Sequence, residues 1–193
     1  MRKPLIGLAI AVVFACLLGS AALAVAAENY MIDPVHSSFY FKISHSGISS
    51  VFGRFDDCSG DFTIDPDDPA KCSFKVSIKT ESIDTNNKQR DDHLRSPDFF
   101  NAKQFPTISF KSTSVKSTSG GFQVTGDFTM HGVTKPITFT LTGGKKAEFP
   151  KGAFRTGYST ELTLKRSDFD MTKFAEALGD EVTVAISFQG VKK

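Results

Sequence analysis

The residues 90–100, RDDHLRSPDFF, gather three carboxylates (Asp91, Asp92, Asp98), two guanidiniums (Arg90, Arg95) and one imidazole (His93). Such a set has three chemical uses: acid–base or nucleophilic catalysis, metal binding, or capture of a polar head group. Catalysis through Ser or Cys needs a nucleophile within hydrogen-bond reach of a base, and the chain shows no nucleophile elbow and no catalytic-cysteine context. A zinc site needs three or four ligands at supporting spacing, whereas His36, His45, His93 and His131 are scattered singly. His93 beside Asp91 and Asp92 offers at most an adventitious cation contact. The reading is therefore of no catalytic residue and no metal, with the charges mostly solvated and self-paired.

Local signals make this stretch part of a cover. Asn86 followed by Gln89 predicts a helix start with a capping box, and Ser96-Pro97 predicts a second start with Pro at the first helical position. In the first helix Arg90, His93 and Leu94 share one side, while Asp91 and Arg95 have the i,i+4 spacing of a surface ion pair. Leu94, Phe99, Phe100 and Phe105 form an apolar underside. Residues 86–106 thus read as a long functional loop laid across one end of the fold. Arg90, His93, Leu94, Phe99 and Phe100 are its candidate ligand contacts, with the Arg90 fork placed to meet a phosphate or hydroxyl.

What lies beneath the cover is strand. Apolar residues fall on every second position in eight runs: Val35, Phe39, Phe41, Ile43; Cys58 to Ile64; Cys72 to Ile78; Ile108 to Ser112; Phe122 to Met130; Ile137 to Leu141; Phe154 to Leu164; and Val182 to Phe188. Turn residues such as Asp65-Pro-Asp-Asp-Pro69, Ser119-Gly-Gly121 and Gly143-Gly144 separate them. Gly53 and a parity change between Phe55 and Cys58 predict a bulge. Each strand has one apolar and one polar face, without the aromatic girdles and lipid-facing bands of a porin. An antiparallel eight-stranded sheet of this kind buries its apolar face by closing into a barrel, a sandwich being the alternative. The inward face is rich in Phe and interrupted by Gly60, Ser112, Gly126, Thr156 and Thr160, so the barrel is either filled by its rings or holds one small ligand. The candidate lumen residues are Phe39, Phe41, Ile43, Phe62, Phe74 and Val76 from the first half of the chain. Phe110, Phe128, Phe139, Tyr158, Leu162 and Phe188 complete the set.

The first 26 residues read as a secretory signal: Arg2 and Lys3 precede an uncharged apolar run ending in small residues, with cleavage after Ala26 or Ala27. A retained N-terminal anchor and lipidation at Cys16 are the alternatives. The full chain carries 23 basic and 21 acidic residues, and losing Arg2 and Lys3 leaves the two signs equal, so nothing electrostatic points to nucleic acid. Residues 27–193 suit one domain. Two cysteines remain, in a disulfide-permissive compartment. A hairpin pairing 58–65 with 72–79 puts Cys72 opposite residue 64, roughly 20 Å from Cys58, so both are expected free.

Ordered motifs across this region resemble one family. Ile32-Asp-Pro-Val-His-Ser37, Gly53-Arg-Phe55, Ser82-Ile-Asp-Thr-Asn86, the 90–100 stretch, Phe105-Pro-Thr-Ile-Ser-Phe110, Gly132-Val-Thr-Lys-Pro136, Lys165-Arg-Ser-Asp-Phe169 and Gly179-Asp-Glu-Val182 stand in the order found in YceI-like proteins. That resemblance implies an all-β, lipocalin-like barrel with short helical cover segments, secreted or periplasmic in bacteria. It also implies a lumen holding a long isoprenoid or similar amphiphile with its head near the mouth, and homodimers in some members. The chain has Asp170 where the family commonly has Gly, and Asp tolerates the left-handed backbone such a turn requires.

Three functions follow for comparison. The first is a carrier or sequestering protein for a polyisoprenoid, quinone-like or fatty amphiphile, with no cofactor beyond that lipid. The second is an enzyme acting on an isoprenoid head group through Arg90, Asp91 and His93. The third is a filled barrel that binds a protein partner on its outer surface.

Overall fold

The structure is a computed structural model that describes residues 26–193; the signal-peptide reading falls outside them apart from the cleavage point. Ten strands form the sheet: β1 (Glu28–His45), β2 (Ser49–Phe55), β3 (Cys58–Ile64), β4 (Ser73–Lys79), β5 (Ile83–Asp84), β6 (Thr107–Thr118), β7 (Gly121–Met130), β8 (Val133–Glu148), β9 (Phe154–Lys165) and β10 (Leu178–Lys192). One α-helix, α1 (Lys88–Leu94), lies between β5 and β6. All pairings are antiparallel, and β10 returns to pair with β1.

The ten strands make eight staves. The first half of β1 pairs with β3 and its second half with β2, so β2 and β3 are one stave broken at Asp56–Asp57. β4 and β5 likewise pair with β3 and β2 in turn. The break at 56–57 is the bulge expected from the parity change. Closure removes both sheet edges and commits every inward side chain to a common interior.

The outward face is polar along continuous cross-strand rows. Asp61, Lys75, Lys111 and Asp127 stand side by side across β3, β4, β6 and β7. Lipid would not tolerate that row at mid-height. Among the described residues no helix is long and apolar enough to cross a membrane.

At one end the inward face is filled by stacked rings. Phe62 is almost wholly buried and stacks on Tyr30 (5.0 Å) and Phe74 (5.7 Å), with the edges of Phe188 (5.4 Å) and Tyr158 (6.0 Å) against it. Phe122 joins through Phe74. Small inward residues make this plug possible by admitting rings and backbone. A Cβ at Gly190 would lie 2.4 Å from the Phe62 ring, and one at Gly126 would lie 2.5 Å from the Phe110 ring. The Ser112 hydroxyl accepts a hydrogen bond from the Phe74 amide. Gly60, Gly126 and Ser112 therefore do not leave a void: neighbouring groups occupy the space beside the glycines, and the Ser112 hydroxyl is itself engaged.

Two positions depart from simple alternation. Val35 is 83 % exposed, because β1 slips register between Asp33 and Ser38. Pro34 has no N–H for the ladder, and Asp33 draws the chain outward by accepting from the Val35 amide while Ser37 donates to the Asp33 carbonyl. Phe154 is half exposed because the β8–β9 hairpin runs on past the end of the barrel. Cys58 and Cys72 are free and buried. Phe62 pairs with Phe74 and Cys58 with Ile78, the register that holds the two thiols apart. Burial pushes both thiols up in pKa.

Ion pairs fasten the closed end. Glu28 receives Lys146 (2.5 Å) and Lys192 (3.0 Å), and the Tyr30 phenol donates to it (2.7 Å). Asp33 pairs with Arg155 and with His36. The Lys146 ammonium is the main cause holding the Glu28 carboxyl down at about 2, from an ordinary 4.5, and Arg155 holds Asp33 at about 2. Since both carboxyls have a lower pKa folded than unfolded, their contribution is complete above the ordinary carboxylate range and is lost as pH falls toward about 2. Urea unfolding should therefore show stability steady down to about pH 4.5 and falling below it, and Glu28→Gln should flatten part of that fall. Gly190→Ala should lower unfolding stability by about 1–3 kcal/mol, since the added methyl overlaps the Phe62 ring in a full core.

Candidate ligand-binding site

Burial along each stave changes from the plug toward the opposite end. On β10 Phe188 is buried while Ile186, Val184 and Val182 are only half-buried; on β9 Tyr158 and Thr160 are buried and Leu162 and Leu164 half-buried. The same gradient runs from Phe74 to Val76 and Ile78 on β4. Inward apolar side chains lose cover here because they face a cavity of about 430 Å³, within the range of pockets that enclose a small molecule. Phe74 and Phe188 belong to both the plug and the cavity wall, so the plug's upper surface is the cavity floor.

Ten of the twelve expected lumen residues line this cavity: Phe39, Phe41, Ile43, Phe74, Val76, Phe110, Phe128, Phe139, Leu162 and Phe188. Phe62 and Tyr158 do not. They lie below the floor, where ring-on-ring packing holds them. Parity identifies an inward residue but does not reveal its height in the barrel, and height decides whether it meets cavity or plug.

The mouth is covered from two sides. On the first, Arg90, His93, Leu94, Phe99 and Phe100 all reach the cavity, but the local structure differs from the sequence reading. The cap of α1 is Asn87, whose side chain accepts from the Arg90 amide (3.0 Å), while Asn86 takes a left-handed turn at φ 60°. Ser96-Pro97 starts turns, not a second helix: the amides of Phe99 and Asn101 both return to the Ser96 carbonyl. Asp91 does not pair with Arg95. It is buried and accepts from both the amide (2.8 Å) and hydroxyl (2.5 Å) of Thr85. A buried amide and hydroxyl cost more to leave unsatisfied than an exposed ion pair returns. Arg95 donates instead to the carbonyls of Glu81 and Ile83, both at 2.7 Å, and to Asp92.

Arg90 carries this further. Its Nε donates to the Thr85 hydroxyl and its Nη2 to the Thr85 carbonyl, both at 2.7 Å. Arg90, Thr85 and Asp91 form one relay that fastens α1 to the rim beside β5. The fork expected to meet a ligand is engaged in holding the cover.

The second side is the segment 170–179, which the sequence reading did not mark as cover. Asp170 adopts the left-handed conformation (φ 59°, ψ 18°) anticipated for a residue in place of Gly, and Met171 is buried behind it. Arg166, itself buried, holds the segment by donating to the carbonyls of Met171 (2.6 Å), Lys173 (2.8 Å) and Gly179 (3.0 Å). The two sides meet where Phe174 stacks on Phe99 (5.8 Å) and presents its ring to His93 (5.7 Å). Asp98 joins them, paired with His93 at 3.1 Å and Lys173 at 3.7 Å, and His93 is the main cause that lowers its pKa. Arg166 and Phe174 both line the cavity. No period-two or helical pattern surrounds Phe174, which is why it was missed; Arg166 lay in one of the quoted motifs without an assigned role. Among the described residues no group of three or more His, Cys, Asp or Glu gathers as a metal site.

The YceI-like domain model matches residues 30–190. The chain belongs to the YceI-like family. A protein of Escherichia coli named YceI is 40 % identical over 195 residues, covering 100 % of both chains. A solved YceI protein of Campylobacter jejuni is 33 % identical with a TM-score of 0.68, covering 76 % of this chain and 87 % of that one. A polyisoprenoid-binding domain from Saccharophagus degradans, implicated in plant cell wall breakdown, has the same fold: TM-score 0.66 at 17 % identity, covering 85 % of this chain and 98 % of that one. The shared architecture is the closed eight-stave barrel.

If the Arg90 guanidinium serves to hold α1, Arg90→Ala should weaken retention of a neutral isoprenoid alcohol and of its phosphate by similar factors, read by ligand retained after gel filtration. A selective loss of the phosphate would show instead that the cation contacts the head group.

Proposed function

We propose that this protein carries or sequesters a long, water-insoluble amphiphile of the isoprenoid, quinone-like or fatty type inside the barrel. The observation that supports the reading most directly is the apolar cavity above the aromatic plug, walled by all eight staves and covered by two segments with apolar undersides. Burying apolar surface at about 25 cal/mol per Å² makes a long chain bind firmly without directional contacts. The polyisoprenoid ligand of the related fold from S. degradans agrees with this wall. The signal-like first 26 residues support action in the periplasm or outside the cell, where a free lipid of this kind needs a carrier. Binding without turnover is the part of the reading that follows from Arg90, Asp91 and His93 being tied into the cover.

Native mass spectrometry of gently purified protein should show a lipid-sized mass adduct that disappears on extraction with organic solvent and returns on incubation with a long-chain isoprenoid alcohol. Recovery of chemically altered isoprenoid would favour an enzyme. Protein that neither arrives loaded nor reloads would favour a barrel that acts through its outer surface.

A further inference from the structure

Among the described residues the cavity wall contains one buried polar side-chain atom without a partner. Thr160 points inward from β9, is only 9 % exposed, and lines the cavity, yet its Oγ1 is fully buried with no hydrogen-bond partner. The position is at the floor: the preceding inward residue, Tyr158, lies in the plug, and the following ones, Leu162 and Leu164, climb the wall. Across the sheet it faces Ile186. The second orphan hydroxyl, Thr156, differs in kind. It lies in the closed end beside Tyr158, whose phenol is pushed up in pKa by burial, and is not part of the cavity.

A buried hydroxyl without a partner is costly, and native interiors rarely keep one without a use. Ordered water is a poor partner here, because a buried water needs two to four polar contacts and the surrounding floor is Phe74, Leu141, Ile186 and Phe188. Because nothing holds the hydroxyl where it sits, a change of staggered χ1 well costs no hydrogen bond, and Thr160 lines the cavity a ligand would occupy.

We infer that the ligand carries an uncharged oxygen function, a hydroxyl or carbonyl, on the end that reaches the cavity floor, where Thr160 hydrogen-bonds it. This rests on the reading of the barrel as a lipid carrier and narrows its ligand class. The function is uncharged because an ionised group there would be buried far from any counter-charge. The cations that line the cavity are at the mouth. Arg166 is six residues along from Thr160, roughly 20 Å in extended strand, and its guanidinium is engaged by backbone carbonyls. The amphiphile therefore enters polar end first, or carries a second polar function opposite its head.

The test uses delipidated full-length mature protein loaded from cyclodextrin with hexadecanol or hexadecane, two chains of equal length that differ in one hydroxyl. The readout is the ratio of the two retained, compared between wild type, Thr160→Val and Thr160→Ser. Wild type should favour the alcohol by about tenfold more than Thr160→Val does, that factor corresponding to a single buried hydrogen bond, and Thr160→Ser should keep most of the preference. Thr160→Val should also melt at a higher temperature than wild type when empty, since it replaces an unsatisfied hydroxyl by a methyl of the same shape. An alcohol preference unchanged in Thr160→Val overturns the inference while leaving the carrier reading intact. Failure of wild type to retain either chain overturns both.

Discussion

An eight-stave barrel has a fixed girth, and its interior is only slightly wider than the side chains that point into it. Everything functional here depends on how that narrow space is divided along its axis. At one end six rings, Tyr30, Phe62, Phe74, Phe122, Tyr158 and Phe188, meet edge and face around Phe62 and close the section. Glycines opposite the rings, Gly190 below Phe62 above all, remove the Cβ atoms that would hold the wall too far out. Toward the other end the wall mixes rings such as Phe41, Phe110 and Phe139 with aliphatic residues such as Val76, Leu162 and Val184, and these side chains leave a cavity between them.

That cavity has to be covered, and the cover cannot be sheet. Both covering segments leave backbone groups without a ladder, so each is held by a polar residue placed under it. Asp91 satisfies the Thr85 amide and hydroxyl, and Arg90 adds two bonds to the same threonine. Arg166 does for 170–179 what Asp91 does for α1, with the signs reversed: a guanidinium gathers carbonyls where a carboxylate gathers donors. Between the two anchors the seam is apolar and aromatic, Phe99 on Phe174, with the Asp98 pairs on its outer side. The charge density of 90–100, which looked like chemistry in the sequence, is largely the means by which a loop with few ladder bonds is kept in place.

The fold was legible because period two survives in almost every stave. The eight runs, the bend before Cys58 and the 58–64 hairpin register all follow from parity and turn residues. Val35 and Phe154 escaped because local hydrogen bonding around Asp33 and an overlong hairpin override alternation. The cover was half legible. Its apolar underside at Leu94, Phe99 and Phe100 is visible in sequence, but the partner of Asp91 is not, since i,i+4 spacing with Arg95 is a local rule and Thr85 competes through burial. Residues 170–179 have no period that marks them as cover, only the turn signal at Asp170, and Arg166 is informative only once four carbonyls are seen to converge near it. Small inward residues do not by themselves mark room: Gly60 and Gly126 meet a backbone oxygen or a ring, and Ser112 takes the Phe74 amide.

An apolar wall supplies affinity in proportion to area and says little about which long chain is bound, because burial is non-directional. Selectivity has to come from polar groups that reach the ligand, and the structure separates those already engaged from those that are not. Arg90, Arg95 and Arg166 each direct donors to carbonyls, a hydroxyl or a carboxylate of the protein itself. A ligand that drew on them would loosen the cover that encloses it, so an anionic head at the mouth works against closure. Thr160 carries no such obligation. A site that pairs one buried hydroxyl with a matching oxygen discriminates more strongly than one that merely adds or removes a methylene, because the wrong ligand leaves the polar group unpaired. On the carrier reading, the barrel combines a wall tolerant of chain type with a floor that senses one oxygen atom, beneath a cover held by the charges near its mouth.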